Sequence, residues 1–142
     1  MPLASHVTDH QPAVWLIIFF VLNFGLVFLL AMNVSRVRLA KNITNGDGND
    51  LDLKKAIRAH SNGLEHTVPF GILLLVAILT GTGPTMAAIL TLAFTVGRVA
   101  HAQGMLSVNF QARRLGAALT YLLEVIVILV LIINAFTLPT LF

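Results

Sequence analysis

The sequence predicts an all-α integral membrane protein in which four transmembrane helices form one bundle. Hydrophobic residues make up 57% of the chain, and its mean hydropathy is +0.88. Only 11% of the residues are charged, whereas about 25% is usual in soluble globular domains. Four long apolar runs with short polar gaps leave no room for a separate soluble domain, so residues 1–142 are interpreted as one membrane domain. The predicted spans are about residues 13–34, 53–80, 85–104 and 115–136.

The first span is long enough to cross a hydrocarbon core of roughly 30 Å, and Trp15 near its start is typical of an interfacial anchor. The polar stretch that follows, 35–55, has Asn and Asp at alternate positions from Asn45, as a calcium-binding loop does. However, the sixth position is Asp50 where a glycine is needed, and the twelfth is Ala56 where a glutamate would bind the ion. We therefore interpret this stretch as a solvated loop.

A polar stripe marks the start of the second span. Arg58, Asn62 and Glu65 stand at i, i+4 and i+7, so in a helix they lie on one face. Ionisable residues within a span are costly unless they face the bundle interior or a wet cavity and find partners, so the stripe predicts a functional site. A structural ion pair that only holds helices together is the alternative interpretation.

The third span ends in a second polar patch, where Arg98 and His101 are at i and i+3. The compact turn Gly81-Thr-Gly83-Pro84 joins spans two and three, so these helices should run antiparallel. The start of span two then lies beside the end of span three, and we expect the two polar patches to meet. An ion pair between Arg98 and Glu65 would be compatible with either a functional or a structural role.

The fourth span follows Arg113 and Arg114. Its polar exceptions are Tyr121 and Glu124, and a buried glutamate needs a partner or a proton. We interpret these two residues as a packing pair rather than a proton relay.

No metal site is predicted. The chain has no cysteine, which removes thiolate ligands, disulfides and cysteine nucleophiles together. His60 and His66 are interpreted as amphipathic side chains at the membrane interface, and His6 and His10 as incidental residues of an exposed terminus. Any thiol chemistry must therefore arrive with a substrate.

The basic residues predict the orientation in the membrane. All nine Lys and Arg residues lie in or beside the first and third loops, and loops rich in positive charge stay in the cytoplasm. We therefore expect termini on the outer or lumenal side, polar patches that face the cytoplasm, and a bacterial inner membrane or endoplasmic reticulum as the location. The net charge of +3 and the pI near 10 then reflect topology and not nucleic-acid binding.

The cytoplasmic ends of the spans collect arginines, amides, a histidine and one carboxylate. Guanidinium groups bind carboxylates in a bidentate manner, so this set suits a compact polyanion that also carries an ammonium group. A lipophilic cosubstrate would enter from the bilayer. The candidate residues are Arg36, Arg38, Arg58, Asn62, Glu65, Arg98, His101, Gln103, Arg113 and Arg114.

The chain resembles the membrane-associated proteins in eicosanoid and glutathione metabolism, the MAPEG family, which includes microsomal glutathione transferases and leukotriene C4 synthase. The resemblance runs from span one to span four and is most specific in Arg58-Ala-His-x-Asn62-x-x-Glu65, with Pro69 four residues on, and in Gly97-Arg98-x-x-His101-x-Gln103-Gly104. It implies a homotrimer with sites between neighbouring subunits near the cytosolic surface. Each site would use glutathione as cosubstrate to conjugate or reduce lipophilic electrophiles.

The resemblance also implies roles for the candidate residues. It assigns the glutathione backbone to Arg58, Asn62 and Glu65, the pocket lining to Arg98, His101 and Gln103, and a contribution from span one to Arg36 or Arg38. Arg113 or Arg114 would be the catalytic residue. A nearby guanidinium favours the charged form of a thiol, whose free pKa is about 8.5, and so raises the reactive fraction at neutral pH.

Two positions differ from the glutathione-binding members of that family. Met105 stands where they carry a tyrosine, and His101 replaces another tyrosine, so a different thiol or anion is an alternative ligand. Two other functions stay open, namely a non-catalytic trimer that binds lipid or is structural, and a small proton-coupled multidrug transporter. A transporter would need Glu65 near the membrane midplane with access from both sides, whereas the charges here cluster at one face of the membrane.

Overall fold

A computed structural model describes residues 11–137 of the chain. This part consists of the helices α1 (Gln11–Lys41), α2 (Leu51–Leu79), α3 (Pro84–Leu106) and α4 (Phe110–Thr137). All four are long and apolar enough to cross a bilayer, so the predicted all-α integral membrane fold is confirmed. His6 and His10 lie outside the described residues.

The helices extend beyond the predicted apolar spans at one end of the bundle, which we call the basic end because it carries the arginine-rich segments. There α1 continues through Arg36 and Arg38 to Lys41, and α4 begins at Phe110. Hydropathy identifies only the segment that lies in the hydrocarbon core. Arginine, lysine and leucine have high helix propensity in water as well, so the helices continue past the membrane boundary. The first loop therefore shrinks to residues 42–50.

Asp50 ends this loop and caps the N-terminus of α2. Its Oδ1 accepts hydrogen bonds from the backbone N–H groups of Leu53 at 2.9 Å and Asp52 at 3.0 Å. Its Oδ2 lies 2.9 Å from Nζ of Lys41 at the end of α1. The N–H of Leu53, followed by the ammonium of Lys41, keeps the pKa of the Asp50 carboxyl below its ordinary value. One carboxylate thus ties the end of α1 to the start of α2.

An aromatic core joins α1, α2 and α3. The rings of Phe70 and Phe94 stack with centroids 3.9 Å apart, and the Phe19 ring lies 5.6 and 5.5 Å from them. All three side chains are fully buried. The outer surface is apolar as well, since large residues such as Val21 and Phe28 are exposed. An apolar surface around an apolar core suits lipid and not water.

Glycines let α3 and α4 cross at close range. A Cβ atom on Gly116 would lie 2.5 Å from the backbone nitrogen of His101 and 2.6 Å from the carbonyl oxygen of Gly97. A Cβ atom on Gly104 would lie 2.7 Å from Cα of Arg113. Only glycine admits the neighbouring backbone at such distances. This crossing fixes where the start of α4 lies against the end of α3.

Candidate functional site

One cavity at the basic end gathers the largest group of predicted site residues. It lies between α2, α3 and α4 and has a volume of about 370 Å³. Its lining residues are Arg58, Asn62, His101, Met105, Phe110, Arg113, Arg114, Ala117 and Tyr121. We call it the arginine cavity.

The helices bring different groups to the arginine cavity. Arg58 and Asn62 are one turn apart on α2 and line it together. On α3, Nδ1 of His101 donates a hydrogen bond to the carbonyl oxygen of Arg113 at 2.9 Å. Since that carbonyl can only accept, the proton sits on Nδ1, and Nε2 is the nitrogen left for a ligand. The same contact anchors the start of α4, where Arg113 and Arg114 lie.

The arginine cavity is strongly cationic. Three guanidinium groups line it, and there is no carboxylate among the described residues of its lining. Two adjoining recesses of about 250 and 220 Å³ share Met105 and Arg113 with it and add Lys54 and Lys55. Charge therefore selects a ligand with several anionic oxygens. Residues 11–137 bring together no group of three histidine or carboxylate side chains that could hold a metal ion.

Arg98 lies behind the cavity and reaches one of its walls. Its side chain is buried, and Nη2 donates to the backbone carbonyl oxygen of Asn62 at 3.1 Å and to Asn62 Oδ1 at 2.8 Å. The predicted meeting of the two polar patches is thus confirmed. The ion pairs of residues 11–137 do not include one between Arg98 and Glu65. Because Arg98 occupies Oδ1, the Asn62 amide presents its NH₂ group to a ligand.

A second polar contact links α2 to α4 inside the membrane. Nδ1 of His66 lies 2.8 Å from Oε1 of Glu124, and we call these two residues the membrane pair. The predicted pairing of Glu124 with Tyr121 needs correction, because the partner of Glu124 is His66 and the Tyr121 ring packs against the His66 ring at a centroid distance of 5.3 Å. Counted from the far ends of their helices, His66, Arg98 and Glu124 all lie at a depth of roughly 20 Å, within the hydrocarbon core.

Three predicted site residues lie on other surfaces of the chain. Arg36 is exposed on α1, and Nη1 of Arg38 donates to the carbonyl oxygen of Gly46 at 2.7 Å in the loop. Gln103 lines a separate groove of about 450 Å³ between α1 and α3. A single subunit therefore does not bring these side chains to the arginine cavity.

Glu65 is turned away from the arginine cavity, although the predicted stripe placed it beside Asn62. The cavity lining includes Arg58 and Asn62 of the predicted stripe but not Glu65. Glu65 is exposed on the outer face of α2 and is flanked by Leu64 and Val68, which are exposed as well. A carboxylate thus faces outward at a depth where the surrounding surface is apolar.

Sequence reasoning did not assign Phe110, Ala117 and Tyr121 to the site. Ala117 and Tyr121 follow Arg114 at i+3 and i+7, so their spacing was a usable signal that they share its face of α4. The spacing would assign Ala117 and Tyr121 to the site only if it were known which face of α4 turns toward α2.

Comparisons with known proteins agree with this architecture. The sequence profile of the MAPEG family matches residues 16–135. The chain belongs to the MAPEG family. Relatives of this MAPEG protein include the inner membrane protein YecN of Escherichia coli strain K12 and the YecN protein of Escherichia coli O6:H1 strain CFT073. Each is 30% identical to it over 102 residues, which cover 71% of this chain and 77% of the relative. The MAPEG match includes every residue that lines the arginine cavity.

Proposed function

We propose that the protein is a glutathione-dependent transferase or peroxidase of the membrane that acts on lipophilic electrophiles. The observation that carries this proposal is the arginine cavity, where three guanidinium groups and an amide converge. Its volume of about 370 Å³ falls within the roughly 300–1,000 Å³ typical of small-molecule sites. Glutathione offers two carboxylates and a thiol, which suit a cationic cavity. Membership of the MAPEG family supports the same class of chemistry.

The cavity residues divide into binding and activating groups in this proposal. Arg58 and the NH₂ group of Asn62 would bind glutathione carboxylates. Arg113 or Arg114 would stabilise the thiolate, because a guanidinium lowers the pKa of a nearby thiol. Nε2 of His101 can accept a hydrogen bond or the proton that the thiol releases. The protein then needs only to hold the electrophile in line with the sulfur.

A second copy of the chain completes the site in this proposal. Glu65 is exposed on α2 at a depth of roughly 21 Å from the far end of that helix, inside the hydrocarbon core. An ionised carboxylate that faces lipid is costly, and a neighbouring subunit would cover it and offer a cationic partner. The exposure of Glu65 supports association, and the family resemblance implies three subunits. We therefore propose a homotrimer whose sites lie between subunits and face the cytoplasm, with the termini on the opposite side.

Glutathione binding and turnover test the proposal directly. The protein, purified in detergent, is titrated with glutathione by calorimetry, its thiolate is followed by ultraviolet absorbance, and conjugation is measured with benzyl chloride. Wild type should bind and conjugate, and whichever of Arg113→Ala and Arg114→Ala removes the thiolate partner should slow turnover about 100-fold or more. Lys41→Ala removes a cation outside the cavity and serves as the control. Absence of binding at millimolar glutathione overturns the proposal.

The same protein separates the two alternative functions. A non-catalytic trimer would bind glutathione or lipid and leave benzyl chloride unreacted. A multidrug transporter, reconstituted in vesicles with a proton gradient, would expel a lipophilic dye and lose this activity in Glu65→Gln. Either outcome without conjugation replaces the proposed function.

A further inference from the structure

Tyr121 is the only tyrosine of the chain, and it lines the arginine cavity. It follows Arg114 at i+7, on the same face of α4, which places it roughly 10 Å farther from the basic end. The residue is 56% exposed on a helix that spans the membrane, so it borders both the cavity and the lipid. The guanidinium groups thus lie at the polar mouth of the cavity, and the phenol lies at its bilayer end.

Tyr121 supplies the only hydroxyl group among the described residues that line the arginine cavity. Met105 has no donor, and Nδ1 of His101 already donates to the Arg113 carbonyl. An oxygen atom that enters from the bilayer therefore meets the Tyr121 hydroxyl before it meets the guanidinium groups.

The membrane pair packs against the Tyr121 ring through the His66 side chain. The His66 ring meets the Tyr121 ring edge-on, at an interplanar angle of 74° and a centroid distance of 5.3 Å. The side chains of His66 and Glu124 are only 15% and 21% exposed, so each depends on its partner at 2.8 Å. Glu124 thus fixes the His66 ring, and His66 limits where the phenol can rest. The thiol chemistry proposed above uses neither residue.

We propose that the Tyr121 hydroxyl donates a proton to the oxygen of a lipid-soluble carbonyl electrophile, and that His66 and Glu124 are positioning residues for it. This inference rests on the proposed function. With an α,β-unsaturated ketone, the thiolate sulfur forms a bond to the β-carbon, and the π electrons of the carbon–carbon double bond shift toward the carbonyl carbon. The carbonyl oxygen takes the displaced electron pair and the Tyr121 proton. The resulting enol converts to the ketone, and the phenolate regains a proton from solvent.

Two electrophiles separate this role from general damage to the site. Benzylideneacetone develops charge on oxygen when the thiolate attacks, whereas benzyl chloride releases chloride and needs no proton. Tyr121→Phe should lower the ratio of kcat/KM for benzylideneacetone to kcat/KM for benzyl chloride about 100-fold. His66→Gln should also lower the rate with benzylideneacetone relative to the rate with benzyl chloride. His60→Gln, on the same helix but without a contact to Glu124 among the described residues, should leave the ratio unchanged.

A spectroscopic measurement keeps the inference falsifiable if Tyr121→Phe does not fold. Wild type labelled with carbon-13 at Cζ of tyrosine gives one signal, since the chain has one tyrosine. That signal should shift when benzylideneacetone binds in the presence of glutathione, and its shift should differ in His66→Gln. A signal that stays constant overturns the inference.

The outcomes distinguish this inference from the proposed function. If wild type conjugates both electrophiles and Tyr121→Phe leaves the ratio of the two rates unchanged, Tyr121 is not the proton donor. The proposed glutathione transfer is not affected by that result. An equal loss with both electrophiles also overturns it, because it shows only a structural effect. If wild type conjugates neither electrophile, the proposed function fails and this inference falls with it.

Discussion

At the residue scale, the buried guanidinium of Arg98 depends on Asn62 for two hydrogen bonds, at 2.8 and 3.1 Å. Its Nε atom has no partner among residues 11–137, so the Asn62 side chain is hard to replace. Asn62→Ala should lower the free energy of unfolding by about 1–2 kcal/mol, because it leaves a buried charge with fewer acceptors. Thermal unfolding in detergent measures the change. Asn45→Ala, in the solvated loop, is the control, and equal midpoints for the two variants would contradict the prediction.

Asp50 should make stability depend on pH at the acid end of the range. Its pKa is lower in the folded protein than its ordinary 3.8, so the unfolded chain takes up the proton first and stability falls as the pH drops toward the folded pKa. Asp50→Asn keeps a capping oxygen and loses the charge that faces Lys41. Wild type should exceed this variant in thermal midpoint above pH 3.8, and the difference should shrink below that pH and vanish once the pH falls below the lowered pKa of the folded protein. A difference that is constant with pH would argue against the capping carboxylate.

At the element scale, the crossing of α3 and α4 positions the first turn of α4. Gly116→Ala would place a methyl group 2.5 Å from the His101 backbone, so the helices must separate. We expect a loss of about 1–3 kcal/mol in stability together with weaker glutathione binding, since Arg113 moves with α4. Gly25→Ala is the matched control, because its added methyl would meet nothing within 4 Å. Calorimetry and thermal unfolding of both variants check this, and equal behaviour would show that the crossing is not tight.

At the scale of the whole molecule, the outward carboxylate of Glu65 predicts association. Wild type in mild detergent should appear as a trimer by native mass spectrometry. Glu65→Ala should shift the distribution toward monomer, because the variant lacks the carboxylate that would pair with a cationic group of the neighbouring subunit. Glu65 and Leu64 are adjacent and both exposed, so Leu64→Ala controls for lost contact area. A wild type that is monomeric at all concentrations would contradict the proposal.

The pairing of helices also shows how far sequence reasoning reached. The short turn before Pro84 correctly predicted that Arg98 would meet the α2 stripe, because antiparallel neighbours align their ends. It did not predict that Glu65 would face outward, because helical spacing gives the directions of side chains relative to one another and not which of them the neighbouring helices cover. It also missed His66 as the partner of Glu124, because their contact depends on how two distant helices are rotated.

The sequence by itself determined the fold class, the number of spans and the polar end of the bundle. Hydropathy over about 20 residues decides what can cross a bilayer, and this property is local. Only the tertiary structure decided that Arg113 and Tyr121 share a cavity with Asn62 while Gln103 lies in another groove. The reason is physical: the glycine contact of Gly116 sets the depth and rotation of α4 against α3, and such contacts join residues far apart in the chain.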